Sequence, residues 1–511
     1  MPKSLRFDLG EEEAARLVQS PYLAAHASAE PPAREIVSLW FDTPERDLLA
    51  RGVAVRIDRE RERRVQSVTL GGGNGQDAAA AAPAPAGGAA SEWHADLVGD
   101  GPAPGVLPEG PARELLLRPE IEARLAPVFS AVHTRAERRI PLPRGGEVRL
   151  VLEAGELVAG ERALPFRVGT LELLAGREAQ LYQLAIRLHR ECSFRLADED
   201  LAARGYALLA PRPPTPRKAP RVRLDASMTA GEAFRRIATT CLSHLRANEA
   251  CAVLGEDPEG VHQVRVATRR LRSAISVFRG ALPGAWGGRI SREVRWLTGE
   301  MAGARAWDVF LVETLAPIRD AMPGDPSLAL LAARGAEARE RAYGAVRKAI
   351  AAPRYTRLLL DLSRALSEGW EATLPVLEAA RLVLAERHGK ALRAGANLAH
   401  LDAEGLHRLR IRLKQLRYAV DFFADILPGK APRKYASALA EMQDCLGLLQ
   451  DVATTEPLLD PIAKGDERDT LLHATGLVYG WQAGIARRAR ARLEDRFRRF
   501  AKRPALGDAD D

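Results

Sequence analysis

The chain has 511 residues, 46% of them hydrophobic and 28% charged, which indicates a globular protein of about two to four domains and excludes a wholly disordered or collagen-like chain. Its four cysteines form no CxxC pair and favour buried, reduced thiols. The absence of an apolar run of about 18 residues and of a secretory signal favours a cytoplasmic protein with no membrane span. Residues 1–210 carry 26 Lys and Arg against 31 Asp and Glu, a net charge of −5, and residues 211–511 carry 49 against 36, a net charge of +13.

The first half of the chain predicts an α+β domain over residues 1–210 with mostly antiparallel strands. Its strands are expected in four alternating runs at 53–58, 65–70, 147–157 and 166–174. Helices are expected at about 11–19 and 177–190. A Gly-, Ala- and Pro-rich stretch at 71–90 predicts a flexible loop, and the proline-rich stretch 211–224 predicts a semi-rigid linker between domains.

After the linker, Ala-, Leu- and Arg-rich segments with a 3.6-residue period predict an all-helical domain over residues 225–503, followed by a tail at 504–511. Pro and Gly clusters mark the expected helix ends, near 255–260, 280–288, 322–326, 351–353, 401–405 and 428–432. The positive excess of this half indicates a polyanionic partner, namely nucleic acid, polyphosphate or an anionic lipid surface. Alternatively, a high arginine content that reflects only genomic base composition would give the same net charge.

The helical half contains an internal repeat. DPEGVHQVRVATRRLRSAISVF (257–278) aligns without gaps with DAEGLHRLRIRLKQLRYAVDFF (402–423), 145 residues later. Asp308 follows the first histidine by 46 residues and Asp451 follows the second by 44. Duplication of one helical unit predicts a pseudo-two-fold arrangement. The two aspartates either orient Arg or His side chains across the interface or serve as ordinary salt-bridge partners.

Each repeat predicts a helix with one apolar face and one basic face. Asp257 and Asp402 suit N-cap positions, and Pro258 suits the first turn. At about 100° per residue, the basic and ionisable groups fall on one side of each helix: His262, Arg265, Arg269 and Arg272, then His407, Arg410, Lys414 and Arg417. One guanidinium group can donate two parallel hydrogen bonds to phosphate oxygens, and Lys and His add further positive charge and donors. The basic stripe therefore suits a chain of phosphates. A solvated face paired with carboxylates is the alternative, but it does not require the basic positions to match in both copies.

The motifs HQVRVATRRLR and HRLRIRLKQLR, with the trailing RAWD and LQD, resemble the two histidine motifs of the CHAD family. The resemblance covers about residues 225–503. It implies two pseudo-symmetric four-helix bundles that bind inorganic polyphosphate along a basic central surface, with association with polyphosphate granules as a further expectation. It also implies basic residues on flanking helices, for which the candidates are Arg246, Lys390 and Arg393.

The first half resembles a CYTH domain in LWFDTPERDLLARGVAVRI (39–57), PVFSAVHTRAERR (127–139) and EVRLVLEAGELVAG (147–160). That family implies an eight-stranded antiparallel tunnel in which acidic residues hold Mg²⁺ or Mn²⁺ and basic residues hold triphosphate. Several motif positions differ, however: SLRFDL stands where Glu-x-Glu-x-Lys is expected and TLELL keeps one glutamate of another such motif. The surviving tunnel residues are Arg56, Arg135, Arg138, Glu153 and Glu172. We therefore expect a degenerate tunnel domain with no catalytic residue, metal or other cofactor.

These features predict a polyphosphate-binding protein whose N-terminal tunnel domain is not catalytic. The enzyme alternative is a divalent-metal-dependent inorganic triphosphatase that uses Mg²⁺ or Mn²⁺, and the missing Glu-x-Glu-x-Lys motif argues against it. The other alternative is nucleic-acid binding. It fits the charge, but the basic helices lack interleaved aromatic residues for stacking on bases.

Overall fold

The structure, a computed structural model, describes residues 4–28, 32–71, 91–370, 372–462 and 467–506. The chain divides into two compact units. One comprises Met1–Pro214 with Leu359–Glu368, and the other comprises Thr215–Leu358 with Gly369–Asp511. The division between Pro214 and Thr215 falls within the segment 211–224 that the sequence predicts as a linker. Most of the expected flexible loop (72–90) and the end of the expected tail (507–511) lie outside the described residues.

The first unit is built on an antiparallel sheet, as the sequence predicts. Its described strands are β1 (Ser4–Asp8), β2 (Arg34–Asp42), β3 (Val53–Glu60), β4 (Arg63–Leu70), β5 (Ser91–Asp96), β6 (Ala126–Leu142), β7 (Gly146–Ala159), β8 (Arg162–Ala175) and β9 (Arg195–Leu196). Their order across the sheet is β5-β4-β3-β2-β6-β7-β8-β1-β9, and each neighbouring pair is antiparallel. The sheet therefore has nine described strands where the family resemblance implies eight, the ninth being only two residues long.

Alternation along the strands separates an apolar face from a charged face. The helices of this unit are α1 (Glu11–Val18), α2 (Pro21–His26), α3 (Asp47–Ala50), α4 (Pro111–Leu116), α5 (Pro119–Glu122), α6 (Glu178–Glu191) and α7 (Leu201–Leu209). Phe7, Leu150 and Leu171 share one hydrophobic core with Leu181 and Leu188 of α6. Because successive side chains point to opposite faces, Glu172 and its neighbours at alternate positions fall on the other face.

The second unit is all helical, as predicted. Its elements are α8 (Ala230–Arg246), α9 (Glu249–Leu254), α10 (Pro258–Val277), α11 (Gly284–Glu300), α12 (Ala302–Val309), α13 (Ala316–Ala321), α14 (Pro326–Ala351), α15 (Pro353–Glu368), α16 (Val376–Gly395), α17 (Ala403–Phe423), α18 (Ala431–Leu459) and α19 (Arg468–Phe500). From Leu359 onward, α15 is grouped with the first unit. The segment Phe310–Leu315 between α12 and α13 is a π-helix.

The two sequence repeats, α10 and α17, pack against each other at the centre of two helical bundles. In one bundle α10 contacts α8 and α11, and α12 contacts α14; in the other the contacts run from α16 through α17 and α18 to α19. Phe278 and Phe423 hold equivalent places in the repeats, and their rings meet with centroids 5.7 Å apart. The starts of α8 and α16 bond reciprocally: Ala230 N donates to the Leu374 carbonyl (2.8 Å) and Val376 N to the Met228 carbonyl (3.0 Å). These contacts confirm the predicted pseudo-two-fold arrangement.

Two further sequence predictions concern thiols and membranes. The four cysteines are buried and unpaired, as expected. Within the described ranges, the helices are all too short or too polar to cross a membrane.

Candidate functional site

The local sequence fixes where the two repeat helices begin. An oxygen of Asp257 accepts from the Glu259 backbone amide at 2.8 Å, and Asp402 does the same for the Gly405 amide at 2.7 Å. Both aspartates are therefore N-caps, as the sequence predicts. At Gly260 a Cβ atom would lie 2.7 Å from Cys251 Sγ, so glycine is needed where α10 approaches α9.

The face of each helix opposite the basic residues is buried. Val264 and Leu271 on α10, and Phe278 at its C-cap, are at most 2% exposed, and on α17 Leu409 and Leu416 are fully buried. Burial of these side chains fixes the rotation of both helices. The two basic faces consequently lie near each other where the helices meet.

We call five side chains from these faces the central basic cluster: His262, Arg265, Arg269, Arg410 and Lys414. All five are partly buried. Arg265 donates from Nη1 to the Thr298 carbonyl oxygen at 2.9 Å, which orients the guanidinium group without neutralising it. The Nε atoms of Arg269 and Arg410 are buried and have no hydrogen-bond partner among the described residues. The cluster thus contains two buried donors whose hydrogen-bonding capacity no described residue satisfies.

Burial, and after it the crowding of like charges, shifts the protonation equilibria of the cluster. Burial, then the cations of Arg410, Arg269 and Arg265, lower the pKa of Lys414 from 10.5 to about 7. Burial and three neighbouring arginines likewise lower the pKa of Arg265 to about 10. The pKa of His262 is lowered by burial and by Arg305. An anion placed among these groups would favour their charged forms.

A groove of about 1130 Å³ runs beside the cluster within the helical unit. We call it the anion groove. Seven of its lining residues are Lys or Arg and three are Asp. Its charged and ionisable lining residues are His262, Arg269, Arg270, Lys414, Arg417, Arg221, Lys430, Arg433, Asp421, Asp425 and Asp444.

The other residues of the predicted stripes lie at the edge of this arrangement. Arg417 lines the groove and donates to Gln443 Oε1 at 3.2 Å, with Asp421 3.9 Å away. Burial and the nearby Arg295 lower the pKa of Arg272, which does not line the groove. His407 is exposed, and its Nδ1 lies 2.6 Å from Gln450 Oε1.

The predicted flanking residues lie apart from the groove. Arg246 forms an ion pair with Glu249 at 3.8 Å, and Lys390 forms one with Glu386. Arg393 is exposed on the same helix as Lys390. Their part in ligand binding stays a prediction.

The two aspartates that follow the repeats have different surroundings. Asp308 is buried and accepts from Arg339 Nε at 2.7 Å and from the Tyr343 hydroxyl at 2.9 Å, so it is a structural salt-bridge partner. Asp451 instead faces the central basic cluster. Burial raises the pKa of Asp451, and Arg410 opposes that shift.

Five basic residues near the site are absent from the sequence prediction: Arg305, Arg270, Arg221, Lys430 and Arg433. Arg305 affects the pKa of both His262 and Arg265, although it also pairs with Glu313 at 3.1 Å. Arg270 and Arg221 line the groove. Arg305 lies in the RAWD motif, which was a usable signal, whereas Arg221 lies in the segment expected to be only a linker.

The charged face of the N-terminal sheet is an array of ion pairs. Glu172 accepts from Arg149 Nε at 2.8 Å, and Glu153 lies 3.9 Å from Arg135 Nη1. Arg56 Nε lies 3.1 Å from Asp58, a carboxylate that the tunnel prediction did not include. Arg138 lies on the opposite face of β6 from Arg135. Its register partner on β7 is Leu150, a residue of the hydrophobic core.

These carboxylates do not fit a divalent metal site, because arginines already neutralise them. A hard cation needs several oxygen ligands converging on one point. Within the described ranges, no group of three or more His, Cys, Asp or Glu side chains could hold a metal ion. Arg6 on β1 stands where an acidic residue of the CYTH pattern is expected, and Thr170 is its partner in register.

Comparisons with known proteins agree with this duplicated helical architecture. Residues 236–460 match the CHAD domain model. The crystal structure of the CHAD domain from the plant Ricinus communis is 31% identical, with a TM-score of 0.50, over 57% of this chain and 98% of that one. An uncharacterized protein of Mycobacterium tuberculosis is 30% identical over 267 residues. That match spans 49% of this chain and 50% of the relative, so the chain spans about half the length of the curated relatives it matches.

The N-terminal region is similar to a putative adenylyl cyclase from Hippeastrum with a dominant triphosphatase activity, at 14% identity and a TM-score of 0.26. That match covers 40% of this chain and 96% of the other. The fold and the site thus define a duplicated helical domain with a central basic cluster. The chain belongs to the CHAD family.

Proposed function

We propose that this chain binds inorganic polyphosphate in the anion groove, with the central basic cluster as its main contact. The observation that carries the proposal is a pair of buried Nε–H groups without a partner among the described residues: one on Arg269, which lines the groove, and one on Arg410, in the cluster beside it. A buried donor without a partner costs free energy, and a phosphate oxygen would supply the missing acceptor. The equivalent basic positions on both repeat helices would then serve one continuous ligand.

The way the arginines are held supports a ligand rather than an internal partner. Arg265 is held by a backbone carbonyl and Arg270 by the Pro220 carbonyl at 3.1 Å. A carbonyl oxygen satisfies one guanidinium N–H but leaves the positive charge in place. The remaining donors stay available for charge-assisted bonds to phosphate.

The composition of the groove favours a phosphate chain over a nucleic acid. Among the described residues that line it, Tyr418 is the single Phe, Tyr or Trp. Proteins that bind single strands usually combine cations with several aromatic platforms for base stacking. Membership of the CHAD family supports the same ligand, since the resemblance of the histidine motifs implies polyphosphate. We place this binding in the cytoplasm, at polyphosphate granules, and propose that the N-terminal sheet is not catalytic.

Competition between polyanions tests the choice of ligand. The full chain would be saturated with labelled long-chain polyphosphate and challenged with unlabelled polyphosphate or single-stranded DNA at the same phosphate and salt concentrations. We expect polyphosphate to displace the label at a much lower phosphate concentration. Displacement by DNA at an equal or lower concentration would contradict the proposal.

A further inference from the structure

Four consecutive residues of the proline-rich segment line the anion groove: Ala219, Pro220, Arg221 and Val222. They precede residue 236, where the match to the CHAD model begins. We propose that this segment is a wall of the groove and that Arg221 supplies a phosphate-binding cation at its rim. The inference rests on the proposed function and extends that site beyond the segment that the family model matches.

The segment is anchored at its start by a buried polar pair. Asn248 is fully buried, its Oδ1 accepts from the Arg217 amide at 2.8 Å, and its Nδ2 donates to the Arg217 carbonyl at 3.0 Å. His244, 3% exposed, also donates to that carbonyl at 2.9 Å. Three hydrogen bonds therefore hold the backbone N–H and C=O of one residue, Arg217. A simple tether between domains would not need them.

Two more anchors fix the residues that follow. Arg270 Nη1 donates to the Pro220 carbonyl, and Arg236 Nη1 donates to the Arg223 carbonyl, each at 3.1 Å. Val222 and Leu224 are buried, at 5% and 7% exposure. Prolines in the segment restrict the unfolded chain, so fixing it costs less conformational entropy.

Arg221 lies between these anchors and remains available to a ligand. Its side chain is 61% exposed and forms an ion pair with Asp425, which also lines the groove. An exposed pair of this kind contributes little free energy. The guanidinium group has five N–H donors, so it can bind a phosphate oxygen while keeping or exchanging its carboxylate partner. Arg221 thereby adds a cation to the groove that Lys414 and Arg417 also line.

The test compares two substitutions that remove the same charge from the same segment. Arg223 is two residues beyond Arg221, and its side chain is exposed and does not line the groove. Titration of the full chain with long-chain sodium polyphosphate would measure the Kd of Arg221→Gln and Arg223→Gln variants. We expect Arg221→Gln to weaken binding about fivefold and Arg223→Gln by less than about twofold, because only one of these cations meets the ligand.

The double variant Arg221→Gln/Asp425→Asn separates the cation from its partner. Weaker binding by the double variant than by Asp425→Asn alone supports direct binding by Arg221, and equal affinity of these two variants would overturn it. Equal effects of Arg221→Gln and Arg223→Gln would also overturn the inference while leaving polyphosphate binding intact. Failure of the wild-type chain to bind polyphosphate would overturn the proposed function and this inference together. Circular dichroism of each variant checks that the fold is retained.

Discussion

Lys414 differs from its neighbours in the central basic cluster because it can lose its charge near neutral pH. Burial and three arginines lower its pKa to about 7, while Arg265, in the same surroundings, keeps a pKa of about 10. Sequence showed that Lys414 belongs to the basic face. It could not show this shift, since the shift depends on how close the other repeat helix lies.

The first prediction is that polyphosphate affinity falls as pH rises above about 7. Above this pH Lys414 is mostly neutral in the free protein. Binding of the anion must then be accompanied by protonation of the Lys414 amine, which lowers the affinity. Affinity should fall by up to about tenfold per pH unit in this range. Lys414→Arg, which keeps the charge, should abolish the dependence in titrations between about pH 6 and 9, a range that spans this pKa.

Two other groups near Lys414 could contribute to this pH profile. The pKa of His262 is lowered, so His262 changes charge in a more acidic range. The pKa of Asp451 is raised but starts from 3.8. A pH dependence above neutrality that survives in Lys414→Arg would contradict the assignment.

The second prediction uses the acidic neighbour of the cluster. Asp451→Asn should strengthen polyphosphate binding several-fold, because Asp451 competes electrostatically with the ligand for Arg410 and Lys414. Asp308→Asn is the matched substitution at the other repeat. It should leave affinity unchanged but lower the free energy of unfolding by about 3 kcal/mol, since Arg339 would lose its buried partner.

Calorimetric titration and denaturant unfolding would measure the two effects of these substitutions. Weaker binding by Asp451→Asn would show that Asp451 orients Arg410 instead of competing for it. That result would support the alternative that the sequence left open for both aspartates, in which they orient Arg or His side chains.

At the scale of elements, the repeat helices could be predicted almost completely. Asp257 and Asp402 cap them, and the apolar positions are buried, because both features follow from local chemistry and the 3.6-residue period. The 3.6-residue period could not show which basic side chains of one repeat helix lie close to those of the other. His407 shares its stripe with Lys414, yet it faces Gln450 outside the groove.

The alternation of side chains along a strand could have shown from sequence that two of the predicted tunnel residues lie on opposite faces, which the motif comparison did not take into account. Arg135 and Arg138 are three residues apart, so in one strand they point to opposite faces. The structure shows this for β6. In contrast, the arginine partners of Glu153 and Glu172 lie on neighbouring strands, and strand register was needed to identify them.

The third prediction concerns the two stripes acting together. Replacing Arg265, Arg269 and Arg272 with Ala should weaken binding of long chains, and so should replacing Arg410, Lys414 and Arg417. A chain that spans both helices should bind much more tightly than a short one, because both stripes then act on one ligand. Titration with polyphosphates of graded length would measure this. Full affinity for long chains in either triple variant would contradict a shared surface.

At the scale of the whole molecule, the two units have opposite electrostatic designs. In the helical unit, Arg265 and Arg270 near the groove are held by carbonyl groups, which leave their charges available, although other arginines of this unit pair with carboxylates. The N-terminal sheet pairs its arginines with carboxylates, as for Arg149 and Glu172. The charge difference between the halves of the sequence indicates the helical half as the one to which we assign polyanion binding, since that difference needs no knowledge of the fold.

The fourth prediction is that the full chain does not hydrolyse tripolyphosphate in the presence of Mg²⁺ or Mn²⁺ between neutral and alkaline pH. The carboxylates that would bind the metal are neutralised by arginines, and catalysis requires the metal at the phosphate oxygens. Phosphate release would measure this. Turnover that disappears in Glu153→Gln or Glu172→Gln would establish the triphosphatase alternative.

The central claim is tested most directly by titrating the full chain with long-chain polyphosphate at low and high salt, alongside two double variants. Arg269→Gln/Lys414→Gln removes two charges from the groove, and Arg408→Gln/Arg412→Gln removes two from exposed positions of α17 outside it. We predict tight binding by the wild type that weakens steeply with salt, because bound phosphates release counterions. The groove variant should lose at least about tenfold in affinity and the control less than about threefold. Equal losses in the two variants, or binding that does not change with salt, would contradict the account.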